Sequence, residues 1–274
     1  LAAGEYTGTI TVTAPGAGNS PQTVNVRLVV AAAPTPVVGR VSNAASFIIG
    51  PVAPGEIITI EGMNLGPGTP AFGAVANNML ATVASDVRVL FDGLPAPVLY
   101  VAATQVNTIV PYQVAGRTMT RIVVEHRGVV SAAVEVRVVD SAPGIFTLNG
   151  SGSGPGAILN QDNTVNTANT PAPRGGVIVI YATGEGATFP TGVNGRITTD
   201  PAENLRRPLL PVAVTIGGLN AEVLYAGAAP GFVAGALQIN ARLPAALAAG
   251  VHPVVVTVGS AASQPNVTVA VAGQ

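Results

Sequence analysis

Val87-Arg88-Val89-Leu90-Phe91-Asp92-Gly93-Leu94-Pro95-Ala96-Pro97-Val98-Leu99-Tyr100 is largely spelled a second time as Val212-Ala213-Val214-Thr215-Ile216-Gly217-Gly218-Leu219-Asn220-Ala221-Glu222-Val223-Leu224-Tyr225. Each copy reads as a strand of alternating apolar residues, a glycine-centred turn and a second apolar strand ending in Tyr, the pattern of a β-hairpin. The echo extends outward. Gln105, Asn107 and Pro111 return as Gln238, Asn240 and Pro244, and Ile57-Ile58-Thr59-Ile60 returns as Val177-Ile178-Val179-Ile180. Such a repeat predicts one β design used twice, with Tyr100 and Tyr225 at equivalent strand ends and their rings packed at an edge.

Composition agrees with a folded β chain of about two large units. The 274 residues include 33 Gly and 23 Pro, yet apolar alternation persists between these turn residues. Only 9% are charged, against a usual ~25%, and all twelve basic residues are Arg. A formal net charge of -1 gives no electrostatic footing for nucleic acid or an anionic membrane. The mean hydropathy of +0.50 comes from strand core, because Gly, Pro and polar residues interrupt every apolar run before the ~18 residues of a spanning helix. Without Cys there is neither a disulfide framework nor a thiolate metal site. Leu1 opens the chain without the features of a signal peptide, so a processed chain or part of a longer one is expected.

Residues 1–33 predict a hairpin of their own. Tyr6, Ile10 and Val12 share one parity and Thr7, Thr9, Thr11 and Thr13 the other. After a turn over residues 14–21, Val24, Val26, Leu28 and Val30 alternate with Thr23, Asn25 and Arg27. An isolated hairpin is marginal in water, so its apolar row must pack on something. Residues 31–36 read as an extended linker.

Pro54-Gly55-Glu56-Ile57-Ile58-Thr59-Ile60-Glu61-Gly62-Met63-Asn64-Leu65-Gly66 resembles the opening of an IPT/TIG domain, an immunoglobulin-like sandwich. A wider set resembles the tandem C-terminal module of large secreted acidobacterial proteins: Val41-Ser42-Asn43-Ala44-Ala45-Ser46-Phe47, Ala142-Pro143-Gly144-Ile145-Phe146, Asn160-Gln161-Asp162, Tyr181-Ala182-Thr183-Gly184-Glu185-Gly186 and Tyr225-Ala226-Gly227-Ala228-Ala229-Pro230-Gly231. The first 33 residues resemble the end of a BACON-type or other immunoglobulin-like domain. The resemblance implies an all-β fold of two immunoglobulin-like β-sandwiches in tandem, at 34–140 and 141–274, with an N-terminal β-hairpin. It implies an extracellular or cell-surface location and supplies no catalytic residues. Residues 69–85 are read as an irregular surface excursion, 129–139 as a strand, 141–156 as a packed junction, and 188–210 and 227–235 as insertions of the second unit.

The chemistry-bearing residues are sparse. His126, in a turn, and His252, beside Pro253, have no companions at metal-ligand spacing and read as exposed loop residues. Asn160, Asp162, Thr164 and Asn166 place oxygens on alternate positions and are the candidate site for a hard cation such as calcium; a hydrogen-bonded turn at Asp162-Asn163 is the competing reading. Gly150 to Gly156 lacks the setting of a nucleophile elbow, and Gly184-Glu185-Gly186 lacks the third Gly of a dinucleotide fingerprint. Glu185 and Glu222 could pair as glycosidase carboxylates, but a chain with no Trp and 4% aromatic residues has little with which to hold a sugar.

No enzyme and no cofactor is therefore expected. The function predicted is a structural or adhesive role in a secreted or surface assembly; if the chain is complete, Tyr6, Ile10, Val12, Val24, Val26, Leu28 and Val30 join subunits head to tail into a filament by β-strand addition, and if it is an excerpt the hairpin completes a preceding sandwich of the same polypeptide. The alternative is a glycan- or protein-binding accessory module of a larger secreted enzyme, recognising its ligand through the loops at 69–85 and 188–210. Partners are then protein, copies of the same chain included, or glycan.

Overall fold

Strands in this chain are short β-branched runs closed by residues that can take positive φ. Asp92-Gly93 (φ 50° and 84°), Arg127-Gly128 (52° and 77°) and Gly217-Gly218 (59° and 80°) each supply two such residues in succession, which suits the twist of a tight hairpin. The computed structural model describes residue 1 and residues 3–273. They form two units, Leu1–Thr35 and Pro36–Gln274.

The first unit is the hairpin of β1 (Gly4–Val12) and β2 (Gln22–Val30), a two-stranded antiparallel sheet. Tyr6 lies opposite Leu28, Gly8 opposite Val26 and Ile10 opposite Val24. The period of two in each strand thus becomes one apolar face and one polar face.

In the second unit the N-terminal half contains β3 (Val37–Asn43), β4 (Ile57–Met63), β5 (Val87–Phe91), β6 (Val98–Ala102), β7 (Gln105–Ile109), β8 (Met119–His126) and β9 (Val134–Arg137). One sheet runs β3-β4-β7-β6 and the other joins β5, β8 and β9. The C-terminal half contains β10 (Val177–Thr183), β11 (Val212–Ile216), β12 (Leu219–Ala228), β13 (Leu237–Arg242), β14 (Gly250–Val258) and β15 (Val267–Val271). Here the pairing runs β10-β13-β12-β11-β14-β15.

Equivalent strands pair in equivalent registers. Gln105 faces Glu61 and Ile109 faces Ile57; Gln238 faces Tyr181 and Arg242 faces Val177. In both halves the register slips by one residue at the Leu of Val-Leu-Tyr, between Val98 and Tyr100 and between Val223 and Tyr225. The repeated Gln donates to the repeated Asn in both, Gln105 to Asn107 at 2.8 Å and Gln238 to Asn240 at 2.9 Å. Tyr100 and Tyr225 consequently occupy equivalent positions just after the bulge, but both lie within their strands rather than at the strand ends that the repeat predicts. Their rings carry different partners. Phe72 meets Tyr100 edge-on at 5.5 Å, and the Arg207 guanidinium lies 4.9 Å over Tyr225. The halves differ where Pro95 and Pro97 stand for Asn220 and Glu222: the N-terminal copy is broken between Leu94–Pro95 and β6, whereas β12 runs unbroken for 10 residues.

Each half has its own core. Ile58, Ile60, Phe91, Val106 and Ile122 belong to one, and Ile178, Ile180, Ile216, Ile239 and Val256 to the other. A third, smaller cluster joins Ile57, Leu80 and Ile109 of the first half to Phe146 and Val233 of the second. Ile57 and Ile109 lie opposite each other on the face turned away from Ile58 and Ile60, so one strand pair serves both its own core and the joint.

Several expectations need revision. Residues 129–139 are two pieces, Val129–Val130 and β9, rather than one strand. The excursion at 69–85 contains short strand pieces, and its backbone binds the 188–210 insertion: Leu80 N–H donates to Gly195 O at 2.7 Å and Ile197 N–H to Asn78 O at 2.8 Å. The 227–235 insertion docks there too, through Thr198 N–H to Phe232 O at 2.8 Å. The 141–156 junction is packed as expected. Ile145 is fully buried, and Gln264 Nε2 donates to its carbonyl at 2.7 Å while Gln264 Oε1 accepts from its N–H at 3.0 Å.

Candidate binding face and the buried joint

On the hairpin, Ile10 (56% exposed), Val12 (57%), Val24 (55%), Val26 (40%) and Leu28 (48%) share one face with Tyr6 and Val30. The seven residues predicted as an interface are therefore brought to one side of one sheet. Its charges lie on the opposite face, where Arg27 Nε and a terminal guanidinium nitrogen donate to the two Glu5 carboxylate oxygens at 2.5 and 2.7 Å. Both strands also have a free edge among the described residues, since β1 pairs with β2 and with no other strand.

The candidate cation ligands come together as a hydrogen-bonded corner. Asn160 Nδ2 donates to Thr164 Oγ1 at 3.0 Å and to Thr170 O at 2.8 Å. Asn166 Nδ2 donates to Asn160 Oδ1 at 2.9 Å and to Ala270 O at 2.9 Å, while its Oδ1 accepts from Ala270 N–H at 2.7 Å. Asp162 Oδ1 accepts from both the hydroxyl and the N–H of Thr164 at 2.7 and 3.1 Å, and the hydroxyl bond is the main reason its carboxyl is held below the usual range. These amide oxygens already serve as acceptors within the chain. Among the described residues no group of three His, Cys, Asp or Glu side chains is placed to hold a metal.

Both histidines depart from the loop reading. His126 ends β8 at 6% exposure, with Nδ1 3.2 Å from Asn64 O, and His252 lies inside β14, with Nε2 2.8 Å from Ala248 O. Glu185 and Glu222 have opposite environments. Glu222 is exposed and pairs with Arg242 at 2.9 Å, whereas Glu185 is 2% exposed within its glycine turn.

Sequence reading missed the polar groups buried where the two halves of the second unit meet. Thr183 Oγ1 accepts from Ile57 N–H at 2.8 Å and donates to Gly235 O at 2.8 Å. Asn43 Oδ1 accepts from the N–H groups of Ala45 and Ser46, and its Nδ2 donates to Glu56 Oε1 at 2.8 Å and to Ala142 O at 3.0 Å. Glu56 Oε2 accepts from Ala53 N–H at 2.7 Å, and burial pushes this carboxyl up to about 8. The Tyr112 hydroxyl donates to Glu185 Oε1 at 3.2 Å, and desolvation pushes Glu185 up to about 7. A lone carboxylate inside each apolar, glycine-flanked run was the signal available.

Residues 43–138 match the model of the IPT/TIG domain. No curated protein matches the sequence. Among solved structures, a Bacteroides ovatus protein, SGBP-B of a mixed-linkage glucan utilization locus in complex with a mixed-linkage heptasaccharide, is similar at 17% identity and a TM-score of 0.33, over 99% of this chain and 55% of that one. The full extracellular region of plexin A4 is similar at 14% identity and a TM-score of 0.27, over 88% of this chain and 16% of that one. The chain thus spans about half the length of the first of these and less of the second. Residues 43–138 are thus an IPT/TIG-like domain of immunoglobulin type.

Proposed function

We propose that this chain is a protein-binding accessory module of a larger secreted or surface-displayed assembly. In this reading residues 34–140 and 141–274 are two IPT/TIG-type sandwiches in tandem, and the hairpin of residues 1–33 is the contact through which a partner is held. The matching registers, bulges and Gln-Asn hydrogen bonds of the two halves support the tandem. The observation that carries the binding role is the uncharged row Ile10, Val12, Val24, Val26 and Leu28, each at least 40% exposed. A two-stranded sheet with one apolar face needs a second layer, so the partner presents an apolar β-sheet face. The loops first considered for recognition bind each other across the joint instead, although Phe72 and Phe189 within them remain 77% and 74% exposed.

A photo-crosslinking residue in place of Val26 in the full chain tests this. The proposal expects adducts to a strand of a distinct secreted protein, lost on Val24→Asp with Leu28→Asp. Saturable binding to a glycan array that this double substitution leaves unchanged, without protein adducts, would overturn it.

A second reading rests on the free edges of β1 and β2 and the absence of Lys, the residue that commonly blocks edge pairing. Here the partner is another copy, and repeated head-to-tail strand addition builds a filament. Mixed isotope-labelled chains distinguish the readings, because adducts between light and heavy copies would identify the chain as its own partner.

A further inference from the structure

We propose that Glu185 is a proton-controlled latch between the two halves of the Pro36–Gln274 unit: its neutral carboxyl lets them close as one rigid body, and its ionised form loosens them. The geometry begins with Tyr112, carried by the 3-10 turn Tyr112–Val114 of the first half and 6% exposed. Its ring fits a slot in which a Cβ added to Gly55, of its own half, or to Gly192, of the other, would overlap it. Its backbone N–H donates to Asn194 Oδ1 at 2.9 Å, and Asn194 Nδ2 donates in turn to Gln113 Oε1 at 2.8 Å. At the tip of the ring the hydroxyl meets Glu185 Oε1 at 3.2 Å, while the buried Oε2 has no hydrogen-bond partner among the described residues.

Protonated, this carboxyl is a neutral group with a single polar contact. Ionised, it is a charge whose second oxygen has no donor, in surroundings from which water is excluded. The charged groups nearby do not relieve it. Arg206 acts on the Tyr112 hydroxyl, but its guanidinium donates to Asp200 Oδ2 at 2.8 Å and to Thr191 O at 3.2 Å, and Asp200 also takes Arg196 at 2.7 Å. Tyr225 on β12 feels the Glu185 charge and carries Arg207 over its ring. Asp140 presents its backbone carbonyl to Gly186 and leaves its side chain exposed. Glu56, the other buried carboxyl of the joint, is bound to Asn43 and Ala53.

Burial raises Glu185 from 4.5 to about 7 in the closed state, which fixes the sign. Below 4.5 the carboxyl is protonated whether the joint is open or closed, and closure is at its most favourable. Between 4.5 and 7 the opened carboxyl ionises while the closed one stays neutral, so the opening equilibrium rises by up to tenfold per pH unit, about 300-fold in all. Above 7 closure is at its weakest.

The absence of native Cys allows spin labels at Val130→Cys and Val251→Cys, one in each half and both at exposed positions. Pulsed electron resonance on the full chain is expected to give a narrow distance distribution at pH 4.5 that broadens as pH rises to 8. Glu185→Gln should stay narrow through pH 7 and broaden only as pH nears the value of about 8 to which Glu56 is raised. Tyr112→Phe should move the midpoint to higher pH, because the hydroxyl is the donor that stabilises the ionised form. A distribution that does not change with pH in the unsubstituted joint would overturn the proposal, as would broadening of Glu185→Gln at the same midpoint. Should Glu185→Gln fail to fold, the unsubstituted joint and Tyr112→Phe decide the matter.

Discussion

Asn43 shows how much of the joint rests on single side chains. Its amide contacts two backbone N–H groups, a buried carboxyl and a carbonyl of the other half. Asn43→Ala is expected to lower stability by more than an exposed truncation, on the order of 1–3 kcal/mol for each buried group left unpaired, measurable by chemical denaturation. The buried carboxyls make a related prediction. Glu185 and Glu56 are raised to about 7 and about 8 from 4.5, so each binds its proton more tightly folded than unfolded. Both contribute stability that is complete below pH 4.5 and declines as pH rises through 7 and 8. Denaturation midpoints should accordingly fall from pH 5 to pH 8, with a smaller fall in Glu185→Gln; equal falls in both proteins would count against a buried neutral Glu185. The glycine turn around Glu185 was legible, since Gly184 and Gly186 both take positive φ. Its burial was not, because the covering surface comes from Tyr112 and from the backbone at Asp140 and Ala142. His126 escaped for the same reason: its neighbour Asn64 is remote in sequence.

At the scale of the strand, the repeat goes further than its matching letters. Val124 N–H donates to Ser131 Oγ at 3.1 Å and Val256 N–H to Ser263 Oγ at 3.0 Å, both buried. Ser131→Ala and Ser263→Ala should therefore destabilise by similar amounts, about 1–3 kcal/mol each, in denaturant titrations of the single variants. Costs that differ severalfold would show that the two corners are not energetically equivalent. The strands and the Asp92-Gly93 turn were readable because they depend on local alternation and turn residues, whereas the shared bulge came only with the structure. The hydrogen-bonded turn at Asp162-Asn163 was readable on the same basis. The role of residues 69–85 and 188–210 was not, because neither segment has a periodic pattern and the backbone bonds that join them, at Leu80 with Gly195 and Asn78 with Ile197, link residues remote in sequence.

For the whole molecule, the hairpin and the Pro36–Gln274 unit make separate predictions. The large unit has its own two cores and a joint between them, so removing residues 1–33 should leave its unfolding transition unchanged within error. A chain that loses cooperative unfolding after this deletion would contradict that independence. The apolar face of the hairpin was legible from parity alone, and the proposal that it is the contact surface rests on the exposure of that face. Hydrogen–deuterium exchange of the full chain, with and without the protein captured at Val26, tests the binding account most directly. Amides of residues 4–30 should exchange rapidly in the free chain and slow by at least tenfold on binding, while those of β4, β7, β10 and β13 stay unchanged. Hairpin amides whose exchange is the same with and without that protein would contradict it.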